Sequence, residues 1–199
     1  LPFLGHPAIQ NIGQLIAKSA VSVLVNLALV FAVGIPVGLA ARDKGYAALI
    51  GLVAYVVFIN AMNVTLQLQG ELAPAEQMRA AGQSMVLGVQ VLETGVFGGI
   101  LTGALAGYLY NRYSGVQFSG AMAIYSGHCF VAIIMLPVAI VLGVVMSELW
   151  PFAQHGISAM ALAIKGAGPF GVAVYGFMER ILVPTGLHHL VYTPFLYTE

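Results

Sequence analysis

Long apolar runs separated by short polar turns set the pattern of this chain. Leu1 to Gln14, with Gly5, Pro7 and Gly13, reads as a loop. The first apolar run spans Ile16 to Ala41, enough at about 1.5 Å per residue to cross a hydrocarbon core of roughly 30 Å. Pro36, flanked by Gly34 and Gly38, predicts a kink within it, and Arg42-Asp43-Lys44-Gly45 ends it. A second run covers Tyr46 to Leu66. Asn60 and Asn63, three apart near its far end, share a helix face and suit a capping or helix-gluing role.

Gln67 to Leu92 reads as a polar connection carrying Glu71, Glu76 and Arg79. A third run follows from Glu93 to Tyr110. Its Gly95, Gly99, Gly103 and Gly107 recur every fourth residue and make one small face, which lets helix backbones approach closely. Asn111 to Gly120 is a polar turn. Ala121 to Trp150 is apolar again, interrupted by Gly127, His128 and Pro137, with Val131 to Met146 as its spanning part. Glu148-Leu149-Trp150-Pro151 is expected to close that span, with the tryptophan at the membrane boundary. Phe152 to Lys165 is only moderately apolar and reads as a separate interfacial helix. Gly166 to Pro169 breaks it, and Gly171 to Val183 resumes as apolar helix before Pro184. The fold class expected is all-α: a polytopic membrane protein with an interfacial helix and a broken or re-entrant segment near the carboxyl end.

Composition agrees. Of 199 residues, 60% are hydrophobic and only 7% charged, against roughly 25% charged in a soluble domain. Mean hydropathy is +0.94. A core of this size cannot hide so much apolar surface, so the outside must be apolar too. Seven basic residues balance seven acidic ones without a basic stripe, which argues against a nucleic-acid partner. The single Cys129 excludes an internal disulfide and a paired-cysteine metal or redox site, and reads as a small core residue. Arg42, Lys44 and Arg112 fall in the turns after the first and third runs, which places those turns on the cytoplasmic side. Glu71, Glu76 and Glu148 then lie outside. Residue 1 lacks a starting methionine or signal peptide and reads as a cut point, so the chain is expected to be part of a longer protein.

The chemistry concentrates in Tyr175 to Glu199. Glu179 and Arg180 are adjacent and point about 100° apart on a helix. Arg180 can grip sugar hydroxyls or a phosphate, or anchor at the membrane surface. His188 and His189 follow Pro184-Thr185-Gly186-Leu187. Neighbouring histidines do not suit a metal, which wants helical i,i+4 spacing. A haem would need His128 as second ligand. Hydrogen bonding to a substrate, or capping a broken helix, fits the pair better. No cofactor or metal is expected, and the chain alone does not look like a complete enzyme.

Glu179-Arg180-Ile181-Leu182-Val183-Pro184-Thr185-Gly186-Leu187-His188-His189 resembles a pattern of the membrane-spanning IIC components of the bacterial phosphoenolpyruvate-dependent sugar phosphotransferase system, in the glucose/maltose/N-acetylglucosamine superfamily. Phe31 to Leu49 and Glu93 to Ile100 resemble two further blocks of that family, in the same order. The resemblance implies a homodimeric permease of the bacterial inner membrane that binds a hexose or glucoside. A IIB domain, charged by IIA, phosphorylates the sugar. Arg180 and His188 match sugar-site positions, with His189 and Glu179 as their neighbours. It further implies membrane helices of an oligomerisation half over residues 1–150, and an amphipathic linker with the start of the transport half over 151–199. Three departures stand out. The later Gly-Ile-Thr-Glu motif is absent, the IIB phosphocysteine motif is absent, and Tyr125 to Val131 lacks the family's basic residue. An ion- or proton-coupled transporter, with Glu179 and His188 as relay, is the alternative, and a structural scaffold or haem protein is a third possibility.

Overall fold

Proline and asparagine positions set the element boundaries in the computed structural model, which describes residues 7–166, 176–177 and 180–181. The first helix, α1, runs Pro7–Val25 and α2 runs Leu27–Leu39. Proline at the first helical position loses no hydrogen bond, so α1 begins at Pro7 and the expected loop to Gln14 is mostly helix. The first apolar run is broken at Asn26, where α1 and α2 meet at 55°. The Asn26 Nδ2 donates to Ser22 O at 2.8 Å and Ser22 Oγ donates to Ser19 O at 2.7 Å, so side chains compete for the carbonyls of that turn. Pro36 lies buried inside α2, which continues through it to Leu39.

The third helix, α3, spans Lys44–Gln69, starting and ending on left-handed residues, Asp43 and Gly70. It packs against α2 at the point where Pro36 denies Ala32 O its helical donor. Gly51 sits over that carbonyl: a methyl there would overlap Ala32 O and press on Pro36 Cγ at 2.8 Å. The neighbouring helix thus fills the defect that a proline leaves.

A two-stranded hairpin lies in the connection read from sequence as merely polar. Strand β1, Gln83–Val86, pairs antiparallel with β2, Val89–Leu92, with Val86 opposite Val89. The two turn residues, Leu87 at φ 50° and Gly88 at φ 80°, are both left-handed, as the tight hairpin twist requires. The hairpin is sewn to α3 through amides. Asn63 Nδ2 donates to Gln90 O at 2.6 Å, and Gln90 Nε2 donates to Gln83 Oε1 at 2.7 Å and Ala73 O at 2.9 Å. Gln83 Nε2 in turn donates to Glu71 O at 2.7 Å. Asn63 therefore glues helix to hairpin rather than helix to helix, while among the described residues Asn60 bonds only Val56 O of its own helix.

The fourth helix, α4, covers Val96–Tyr113 and runs parallel to α2. The predicted glycine face makes this contact. Gly99 lies on Ala28 O, Gly103 on Phe31 O and Ile35, and Gly107 on Pro36 and Leu39. Asn111 closes the far end, accepting from Ala41 N at 3.0 Å and donating to Leu39 O at 2.7 Å. Tyr110 OH donates to Asp43 O at 3.2 Å. Arg42, Lys44 and Arg112 thereby gather at one end of the bundle.

After a 3-10 turn at Gly120–Tyr125, the fifth helix, α5, runs unbroken from His128 to Gly166. Here two expectations are corrected. Pro151 does not end the helix, and Phe152 to Lys165 is its continuation rather than a separate element. Trp150 is 8% exposed, packed against the hairpin with its Nε1 donating to Glu93 O at 3.0 Å. One turn further, Gln154 Nε2 donates to Gly82 O at 2.7 Å. Those bonds to the hairpin hold the helix on both sides of Pro151. Gln69 also bonds Glu148, tying the end of α3 to the middle of α5.

The outer faces are apolar: Leu49 is 58% exposed and Val141 61%. Two helices, α3 and the His128–Gly156 part of α5, are long and apolar enough to cross a membrane, and three if the bent α1–α2 pair is one span. The all-α membrane class holds, with the short hairpin as its one departure. Of the expected break at 166–169, Gly166 is the last residue of α5 and the rest lies outside the described residues, while of the segment after it Gly176, Phe177, Arg180 and Ile181 are described and helical.

Alanine at two glycines should give opposite results. Gly99→Ala, forced against Ala28 O, should lower the melting temperature in detergent by an overpacking cost of about 1–3 kcal/mol. Gly34→Ala meets nothing within 4 Å and should raise stability by roughly 0.5–1 kcal/mol, the helix-propensity gain.

Candidate functional site

Of the four candidate sugar-site residues, Arg180 alone is described. It lies on a helical turn with Ile181, and both side chains are exposed. Its guanidinium is therefore open to a ligand or a headgroup. Glu179, His188 and His189 lie outside the described residues, so their proximity to Arg180 remains a sequence expectation. Among the described residues, no group of three or more His, Cys, Asp or Glu could hold a metal ion.

Among the described residues, the helical bundle holds at least two cavities. One, of about 190 Å³, opens between α3 and α5. Part of its lining is a flat stack of His128 on Tyr46, ring centroids 3.8 Å apart and 11° from parallel. Behind the stack the walls are aliphatic, with Leu49, Val53, Met135 and Leu136. Cys129 lines the same wall and is half-buried, as a small packing residue would be. With one imidazole face covered by the phenol ring, His128 works here as a packing and stacking group.

The second cavity, about 370 Å³, opens where α1 and α2 diverge, between α3 and the hairpin. Glu93 and Thr94, at the junction of β2 and α4, contribute its polar wall. Burial pushes the Glu93 carboxyl above its usual value of 4.5, and the positive charge of Arg79 offsets that only in part. In the sequence Glu93 marks the start of an apolar run and of the Glu93–Ile100 block, with no chemical role assigned to it. The available signal was a carboxylate directly between a strand and a glycine-rich helix, too short a pattern to separate from an ordinary loop acid.

The sign of that shift gives a test. A raised folded-state pKa means that the protonated form is favoured, so stability is full below the usual carboxylate range and declines as pH rises through the folded value. Glu93→Gln, which stays neutral, should melt higher than the parent at pH 8. The gap should close near pH 4, as followed by thermal unfolding in detergent.

The helix-packing blocks and the Glu179–His189 pattern belong to a chain whose residues 3–199 match the family model described as Phosphotransferase system, EIIC. That match covers nearly the whole sequence and joins the apolar bundle to a sugar-transport role. The glycine-faced helices, the apolar exterior and this match together show that the chain belongs to the phosphotransferase system EIIC family, the membrane-embedded sugar permease subunits of that system.

Proposed function

We propose that the chain serves the glucose/maltose/N-acetylglucosamine branch of the family, translocating a hexose or glucoside that a IIB partner, charged by IIA, phosphorylates. The observation that carries this is the Glu179–His189 pattern inside a family match that extends over it. Arg180 and His188 are the proposed sugar ligands, with His189 and Glu179 beside them. Sugar hydroxyls need convergent donors and acceptors, and a helix interrupted by Pro184 and Gly186 offers backbone groups along with those side chains. Arg180 is exposed, and among the described residues no hydrogen bond occupies its fork of donors.

The membrane reading is the bacterial inner membrane, crossed several times. Arg42, Lys44 and Arg112 collect at one end of the bundle, and Glu71 and Glu148 at the other, which supports a cytoplasmic position for the basic end. Residues 1–150 are proposed as part of the oligomerisation half of a homodimer. Residues 151–199 are the amphipathic linker and the start of the transport half. The α5 helix crosses that boundary without a break.

Phosphoenolpyruvate-dependent phosphorylation of a panel of sugars by the full-length protein, with IIA and IIB present, tests the assignment. Uptake driven by a proton gradient without phosphoenolpyruvate would replace it with the proton-coupled reading, Glu179 and His188 forming the relay. In the same assay His188→Ala should raise the apparent KM for sugar about ten-fold, the loss of one hydrogen bond to a polar ligand. Arg180→Lys should weaken binding comparably, since an ammonium cannot reproduce a planar fork. An unchanged KM in both variants would remove these residues from the sugar site.

A further inference from the structure

The 370 Å³ cavity is a wedge. The 55° bend at Asn26 swings α1 away from the bundle, and the hairpin covers the gap between α2 and α3. Most of its wall is aliphatic, including Val21 and Leu24 of α1 and Ile59 and Met62 of α3. Its polar groups are few. Tyr55 is 1% exposed and Thr94 6%, yet among the described residues neither hydroxyl has a hydrogen-bond partner. The Glu93 carboxyl likewise lacks a hydrogen-bonding partner among the described residues. The positive charge of exposed Arg79 acts on it from the connection that precedes the hairpin.

Such a chamber selects its occupant. Burial disfavours the ionised form of Glu93, so a carboxylate in this apolar wedge calls for a cation beside it. Aliphatic walls call for hydrocarbon. A free sugar, hydroxylated on every side, would leave most of its hydroxyls unpaired against those walls. A molecule with a primary ammonium at one end, a phosphate next to it and an acyl chain behind meets all three demands. The wedge also lies at the hairpin end of the bundle, beside the polar connection, which is where a lipid headgroup meets water.

We propose that this wedge binds one phosphatidylethanolamine molecule, its ammonium on Glu93, its phosphate toward Arg79 and an acyl chain along α1. The lipid would fill the space between α1 and the bundle and hold the hairpin against it. The Tyr55 and Thr94 hydroxyls are then available to the ester and glycerol oxygens.

The test uses the full-length protein in nanodiscs of phosphatidylethanolamine, phosphatidylcholine or phosphatidylglycerol. Bound lipid is counted by native mass spectrometry after transfer to detergent, and melting is followed in parallel. Phosphatidylcholine keeps the phosphate but lacks ammonium N–H donors. Phosphatidylethanolamine should be retained and should raise the melting temperature above that in phosphatidylcholine. Glu93→Gln should cut retention about ten-fold, the value of a hydrogen bond to a charged group. Arg79→Gln, at an exposed position, should reduce it more modestly, and Leu24→Trp, which occupies the wedge, should abolish it. Equal retention of the ethanolamine and choline lipids, a preference for the glycerol lipid, or retention unaffected by all three substitutions would overturn the proposal. Lipid retention is read without sugar or phosphoenolpyruvate, so it stands or falls separately from transport.

Discussion

Close backbone approach at residues without side chains is the contact on which the bundle depends. Inside a bilayer, lipid tails compete on equal terms with leucine, so helices gain by dispersion at short range and by hydrogen bonds rather than by escaping water. The glycine face of α4 lies directly on the carbonyls of α2, and Gly51 of α3 covers the carbonyl freed by Pro36. Gly143 of α5 meets Phe58 O of α3 in the same way. Three helix pairs are therefore set by positions where any larger residue would push the backbones apart. The large side chains that remain, Tyr55, Phe58 and Met62 among them, fill the volume between these seams.

The hairpin end is held by different chemistry. Gln83, Gln90 and Asn63 satisfy carbonyls that an irregular connection would otherwise leave unpaired, and each amide gives more than packing. Trp150 and Gln154 add two bonds from α5 to the same segment. Such a network is specific because every member has a partner, so a change at one amide strands the next. The opposite end has a simpler clasp, with the Asn111 amide closing the end of α2 and Tyr110 reaching Asp43 O. The two ends frame a stretch in which helix contacts are almost wholly apolar.

Periodicity and small-residue spacing made much of this legible from sequence. The glycine face of α4 was readable because its repeat of four matches a helix surface. The apolar runs gave α3 and the core of α5 within a few residues. Hidden features share a cause: each depends on a partner distant in sequence. The seating of Gly51 over Pro36 is not visible in the sequence, because the two lie on different helices. Pro151 was read as a stop because the hairpin carbonyls that support Trp150 and Gln154 lie some sixty to seventy positions earlier. The hairpin itself was missed because Leu87, rather than asparagine or glycine, leads its turn, so the usual two-residue signal is incomplete. Of the candidate sugar residues, the pattern from Glu179 to His189 was legible as a motif, whereas Glu93 was not, since its burial arises from elements far apart along the chain.

The uninterrupted run of α5 has a mechanical meaning. At about 1.5 Å per residue its 39 residues extend roughly 58 Å, nearly twice the thickness of a hydrocarbon core. Near its middle, at Trp150 and Gln154, the rod is pinned to the hairpin. Whatever its distal arm carries is thus geared to that pivot, and a tilt of the arm would be felt as torque on the β-turn layer rather than absorbed by a flexible joint at Pro151.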